Sequence, residues 1–207
     1  KNLFALSILA ASVAMTACSK KPEETTQATG AATTTASASG ATIIKIGHAA
    51  PLTGPQAHLG KDNENGVRLA VDELNAKGLT IGGQKVQFEL HSEDDQADPR
   101  IATTVAQKFV DDKVNVMIGH LNSGTTIPAS RIYNDAGIVE VSPSATNPKY
   151  TQQGYKGAFR VMANDVQQGK VLGEFAVKEM AAKNIAIIDD RSAYGQGLAD
   201  EFEKAAK

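Results

Sequence analysis

The stretch VNVMIGHLNSGTTIPASRIYNDAGIVEVSPSATNP, residues 114–148, decides the fold. A largely apolar run, Val114 to Met117, leads into Ile118 and reads as a buried strand, after which Gly119 lets the backbone turn. Residues 125–136 read as a helix, and IVEV, residues 138–141, as the next strand. A helix standing between two short apolar strands returns the chain across the sheet, so the strands lie parallel.

The same alternation runs outward in both directions. Upstream, IIKIGH (residues 43–48) and KVQFELH (residues 85–91) read as strands. Between them Val67, Ala70, Val71 and Leu74 fall on one helical face that Gly78 ends. Asp98 is placed to cap a helix with Pro99 at its first position, and Ile101, Val105 and Phe109 form that helix's buried stripe. Downstream, GAFRV (residues 157–161) reads as a fifth strand. A long helix is expected over residues 166–183, then a strand NIAIIDD (residues 184–190) and a helix running to the end. The fold class is therefore α/β, a doubly wound parallel sheet covered on both faces.

In such sheets ligands bind where strand ends lead into helices. Here the end of VNVMIG is followed by Ser123, Gly124, Thr125 and Thr126, where the unpaired N–H groups of the next helix begin and favour an anion. Pro128 fits a first helical turn, where a missing N–H is harmless. The plain alternative is that Ser123 or Thr125 only caps the helix. The next strand end, SPSATNP (residues 142–148), is stiffened by two prolines and kept narrow by Ser144, Ala145 and Thr146. Taken alone it is a Ser/Pro turn. Two neighbouring strand ends finished in this way suit a zwitterion, with N–H donors for a carboxylate and carbonyl and hydroxyl acceptors for an ammonium.

Composition narrows the partners. The 207 residues carry a formal net charge of −2, with no Trp and one Cys. No broad cationic field for nucleic acid, disulfide framework or cysteine metal cluster follows from such a chain. The single Cys18 closes MTAC, behind Lys1, Asn2 and an apolar segment too short to span a bilayer. Residues 1–18 read as a signal peptide with a lipobox, cut after Ala17 and lipidated on Cys18, although Met15 replaces the commoner Leu. An ordinary cleaved signal with an incidental Cys is the alternative. Residues 19–42, rich in Ala and Thr, read as a disordered tether on which a folded domain works near a membrane that it touches only through the lipid.

The ordered blocks PLTGPQAHLG, AVDELNAKG, EDDQADP, IGHLNSGTTIPASRIYNDAGI, SPSATNP and DDRSAYGQGLA resemble the leucine/isoleucine/valine-binding proteins. These are type I periplasmic binding proteins serving ABC importers, and the resemblance covers residues 43–207. It implies a bilobed fold that closes on its ligand like a clamshell, with residues 43–162 as the first lobe and residues 163–207 as the start of a second. It also implies that Ser123 binds an α-carboxylate through its hydroxyl and N–H, with the Thr146 N–H as a second donor. The Ser144 carbonyl and Thr146 hydroxyl would take the α-ammonium, and Tyr194 would reach the ligand on closure. Leu59 stands near where relatives often place a Tyr against the ligand side chain. Ala97 and Asn122 occupy positions that some relatives join by a disulfide. Family members continue past the position of Lys207, so the chain reads as an N-terminal piece lacking the acidic residue that pairs with the ammonium.

The expectation is thus a monomeric, lipid-anchored envelope receptor that delivers a small aliphatic amino acid to ABC permease subunits, with no cofactor, metal ligand or catalytic residue. Alternatives are a receptor of the same fold for an amide, urea or aromatic acid, and a doubly wound α/β enzyme. Glu93, Asp94, Asp95 and Asp98 resemble a metal cluster but read as a solvated loop feeding a capped helix. GQG at residues 195–197 lacks the last small residue of a dinucleotide loop, since Asp200 stands there. No G-x-S-x-G elbow or phosphate-binding G-x-x-x-x-G-K occurs. Among the scattered histidines only His58 and His120 lie near the strand ends, and His120 reads as a structural hydrogen-bonder.

Overall fold

The computed structural model describes residues 40–207, so the signal, Cys18 and nearly all of the tether lie outside the described residues. The strands are β1 (Thr42–Ala50), β2 (Thr80–Ile81), β3 (Gln84–Asp94), β4 (Val116–Gly119), β5 (Val139–Ser142) and β6 (Ala158–Arg160). They form a sheet in the order β2-β3-β1-β4-β5-β6. Every pairing is parallel except the short antiparallel hairpin of β2 with β3. The chain leaves β1 to form β3 on one side and returns to form β4 on the other. That reversal opens a crevice at the carboxyl ends of β1 and β4.

The helices are α1 (Ala57–Lys77), α2 (Pro99–Asp111), α3 (Ser123–Asp135), α4 (Lys149–Gln152), α5 (Asp165–Glu174) and α6 (Ala193–Ala206). Gly78 ends α1 in the left-handed region at φ 62°, and Asp98 caps α2 by accepting from Arg100 N–H, as their sequence positions indicate. Val105, Ala106 and Phe109 of α2 and Ala129 and Tyr133 of α3 pack with Ala49, Val114, Met117 and Ile138 into the core; Ile101 packs against it while only partly buried. Successive strand residues face opposite sides. An added Cβ on Gly47 would meet Met117 and Phe109, whereas His48 sits in the field of Glu64 on α1.

Three expectations change. Helix α3 begins at Ser123, two residues earlier than read, so Pro128 stands inside it rather than in its first turn. The long helix over residues 166–183 is shorter: α5 passes into a single π turn, Phe175–Glu179, and ends at Met180. Ala181 then takes a left-handed conformation at φ 50°. The segment NIAIIDD forms no strand. Ile188 is 95% exposed, and without a neighbouring strand to exchange hydrogen bonds an apolar run gains nothing by forming a ladder.

Candidate ligand-binding site

Three loops meet at the carboxyl end of the sheet. The loop after β1 is held by Asp94 at the end of β3, whose carboxylate accepts from Leu52 N–H at 2.8 Å and from the Thr53 hydroxyl. Partial burial works to raise the Asp94 carboxyl, but bonds from Thr53, Gln96 and Leu52 outweigh it and hold the group below its ordinary range. The Asn122 amide donates to Gln56 Oε1 at 2.7 Å, tying the loop after β4 to the first. Ser142 joins that loop to the one after β5: its hydroxyl donates to the His120 carbonyl at 2.8 Å and accepts from Ala145 N–H at 2.9 Å.

Ser123 opens α3 and is 1% exposed. Its hydroxyl accepts from Asn147 N–H at 3.2 Å, so it bridges to the neighbouring loop instead of capping its own helix. Thr125 does not cap the helix either; its hydroxyl donates to the Asn122 carbonyl. Thr125 and Thr126 N–H donate to the Asn122 carbonyl at 3.1 and 2.9 Å, which leaves Ser123 and Gly124 N–H without an acceptor among the described residues, at the positive end of the helix dipole.

The backbone of residues 144–147 is almost fully engaged. Arg160 donates to the Ala145 and Asn147 carbonyls at 2.9 and 3.0 Å, and Asp165 N–H donates to the Thr146 carbonyl at 3.0 Å. Ser144 N–H and Ala145 N–H go to Ser142, and Asn147 N–H goes to Ser123. Among the described residues this leaves two backbone groups without partners, the Ser144 carbonyl and the Thr146 N–H. They are one acceptor and one donor.

A cavity of about 690 Å³ opens beside these loops. Leu59, Ser123, Ser144 and Tyr194 all line it, together with Gln56 and the Asp190–Ala193 segment that leads into α6. Ala97 and Asn122 also line it. Thr146 does not, and its hydroxyl is buried without a partner. The GQG glycines lie inside or against α6, and Gly197 allows Asn147 and Asp165 to approach that helix.

Beneath the cleft lies a buried polar chain that sequence reasoning identified only at His120. Its ring nitrogens bond Asp95 at 2.7 Å and the Tyr133 hydroxyl at 3.0 Å. The reading of the acidic loop as solvated is therefore corrected for Asp95, which is 0% exposed because it pairs with His120. Glu93 and Asp98 keep solvent-facing ion pairs with Lys108 and Arg100. Among the described residues no group of three or more His, Cys, Asp or Glu is arranged to hold a metal ion. Gln56 and Arg191 carried no sequence signal, since long polar residues in loops are common everywhere.

A doubly wound sheet whose strand ends converge on a hydroxyl-lined cleft defines an α/β protein with a candidate ligand site at its strand ends. The comparisons give that class its family: residues 43–207 match the model for periplasmic binding proteins, and the chain belongs to that family. The chain is 44% identical over 161 residues to a Leu/Ile/Val-binding protein homolog of Brucella abortus, covering 78% of this chain and 43% of that protein. It is 38% identical to a leucine-, isoleucine-, valine-, threonine- and alanine-binding protein of Pseudomonas aeruginosa, covering 81% of this chain and 44% of that one. The branched-chain amino acid transporter substrate-binding protein LivJ of Streptococcus pneumoniae, solved with isoleucine, superposes with a TM-score of 0.73 at 32% identity. That superposition covers 80% of this chain and 47% of LivJ. The chain thus spans less than half the length of each of these relatives.

Proposed function

We propose that this chain contributes the amino-acid site of an ABC-importer substrate-binding protein whose ligand is a branched-chain or other aliphatic amino acid. The observation that carries the proposal is the pair of free backbone groups in an otherwise saturated loop, the Ser144 carbonyl and the Thr146 N–H, beside Ser123 at the start of α3. A free amino acid needs this combination: an acceptor for its ammonium and donors for its carboxylate. Ser123 and Thr146 N–H bind the carboxylate and the Ser144 carbonyl the ammonium, while Leu59 and Tyr194 border the space for an aliphatic side chain. The buried Thr146 hydroxyl supports this loop from behind rather than meeting the ligand directly. The three relatives named above carry branched-chain amino acids in their names, which supports the ligand class.

Delivery to a membrane permease, clamshell closure between residues 43–162 and a second lobe, and lipid anchoring through Cys18 belong to the same reading. Calorimetric titration of the protein as its gene encodes it with each of the twenty common amino acids tests the ligand class. Leucine, isoleucine or valine should give saturable heat, and silence with all twenty removes the reading. Labelling with a radioactive fatty acid tests the anchor. The parent should take up label and Cys18→Ala should not; an unlabelled parent contradicts the lipobox.

A further inference from the structure

Asp165 opens α5 and is completely buried, yet neither of its carboxylate oxygens has a hydrogen-bond partner. The Thr146 hydroxyl, also buried and unpartnered, stands against this carboxylate without closing a hydrogen bond. Three unsatisfied buried oxygens at one point call for an explanation. The neighbouring amide and guanidinium are drawn to other acceptors. Asn147 donates its side-chain amide to the Ala193 carbonyl at 2.7 Å, and Arg160 donates to Ala145, Asn147 and Thr151. From α6, Gly197 closes the remaining side: a Cβ there would lie 3.3 Å from Asp165 Oδ2 and 2.5 Å from the Asn147 amide nitrogen. The Thr146 hydroxyl, which makes no other hydrogen bond among the described residues, stands against this carboxylate as its donor.

We propose that Asp165 is a positioning residue for the amino-acid site: its carboxylate accepts a hydrogen bond from the Thr146 hydroxyl, and its N–H donates to the Thr146 carbonyl. Held in this way, the Thr146 N–H and Ser144 carbonyl keep their aim at the ligand. The proposal rests on the reading of the loop after β5 as the ligand loop. The main-chain bond at 3.0 Å already fixes the separation of the two residues, so rotation of the side chains closes the second contact. A hydroxyl bonded to an ionised carboxylate is held about twice as strongly as one bonded to a neutral group. The anchor therefore depends on Asp165 remaining charged. Burial pushes this carboxyl up, opposed by the Thr146 hydroxyl and by Arg160 facing it from β6, and reinforced by Glu201 facing it from α6. As pH falls toward the raised value, Asp165 takes a proton before ordinary aspartates do, the bond weakens and the loop loosens.

The test is calorimetry with L-leucine on the protein as its gene encodes it, from about pH 8 to about pH 4. The forms compared are the parent, Asp165→Asn, Thr146→Val, the double variant and Thr146→Ser. Each of the first two substitutions should weaken binding by roughly tenfold or more, the scale of one hydrogen bond to a charged group. The double variant should be no weaker than the poorer single variant, and Thr146→Ser, which keeps the hydroxyl, should bind like the parent. Parent affinity should fall toward the acid end while that of Asp165→Asn stays level. Parent-like affinity in Asp165→Asn, or additive losses in the double variant, overturns the proposal. A level parent profile also overturns it and needs no substitution to observe. A parent that binds none of the twenty amino acids removes the ligand reading itself, and this proposal with it.

Discussion

Glu140 lies in the middle of β5 at 1% exposure, with both carboxylate oxygens unpartnered. Burial pushes its carboxyl well above the ordinary 4.5, opposed by Tyr150 and by the N–H of His120. The folded state therefore favours the protonated form. Below the ordinary value both states are protonated and nothing is lost. As pH rises past it the unfolded chain ionises first, so stability falls by up to about 1.4 kcal/mol per pH unit until the folded value is reached. Glu140→Gln cannot ionise, and its advantage over the parent in urea unfolding should widen from pH 4 to pH 8; a constant difference would mean that Glu140 is paired after all. Ser123→Ala acts on binding instead. It should weaken leucine binding by about 1.5–3 kcal/mol, roughly 10- to 150-fold, in a titration at neutral pH. Unchanged affinity would reduce Ser123 to a brace for Asn147. At this scale the sequence pointed to only part of the candidate site. Ser123 and Ser144 were legible because hydroxyls at two adjacent strand ends have few structural reasons to be there. Asp95 was not, because nothing in a run of acidic residues says which one a distant histidine draws inward. Asp165 was hidden for a similar reason, since an acidic residue after Asn164 reads as an ordinary helix start.

The elements of α5 and α6 meet through glycine. A Cβ on Gly173 would lie 2.8 Å from the Phe202 carbonyl oxygen and from Ala205 Cβ, and one on Gly169 would lie 2.7 Å from Phe202 N. Backbone of α6 cannot move aside as a side-chain tip could. Gly173→Val should therefore destabilise the protein by about 1–3 kcal/mol through overpacking. Gly66, in the exposed middle of α1, has no atom within 4 Å of an added Cβ. Gly66→Ala should stabilise by roughly 0.5–1 kcal/mol, because alanine loses less backbone freedom in a helix. Urea unfolding of both variants checks the pair, and similar shifts of the same sign would contradict the close helix approach. Helices α1 and α2 were readable because Gly78, Asp98 and Pro99 punctuate them. The strand expected over residues 184–190 was not formed, because periodicity reports what a segment could pair with and not whether a partner lies beside it. Helix α3 began earlier than read because Asn122, not a hydroxyl residue, stands at its cap.

At the scale of the whole molecule, the order β3-β1-β4-β5 brings the ends of β1, β4 and β5 side by side and builds the cleft from segments far apart in sequence. Alternating strands and helices made that architecture legible. The saturation of the loop after β5 was not, because it depends on Arg160 and Asp165 arriving from later elements. In the proposed site, two free backbone groups and Ser123 recognise both charges of an amino acid at once. Calorimetry of the protein as its gene encodes it, comparing L-leucine, L-leucinamide and 4-methylpentanoate, tests this directly. Leucinamide lacks the carboxylate and 4-methylpentanoate lacks the ammonium, while both keep the aliphatic chain. Each missing charge should remove about 1.5–3 kcal/mol at least, so both analogues should bind 10- to 150-fold more weakly than leucine, or more weakly still. If either analogue binds as tightly as leucine, the loop does not read a zwitterion and the account of the site is wrong.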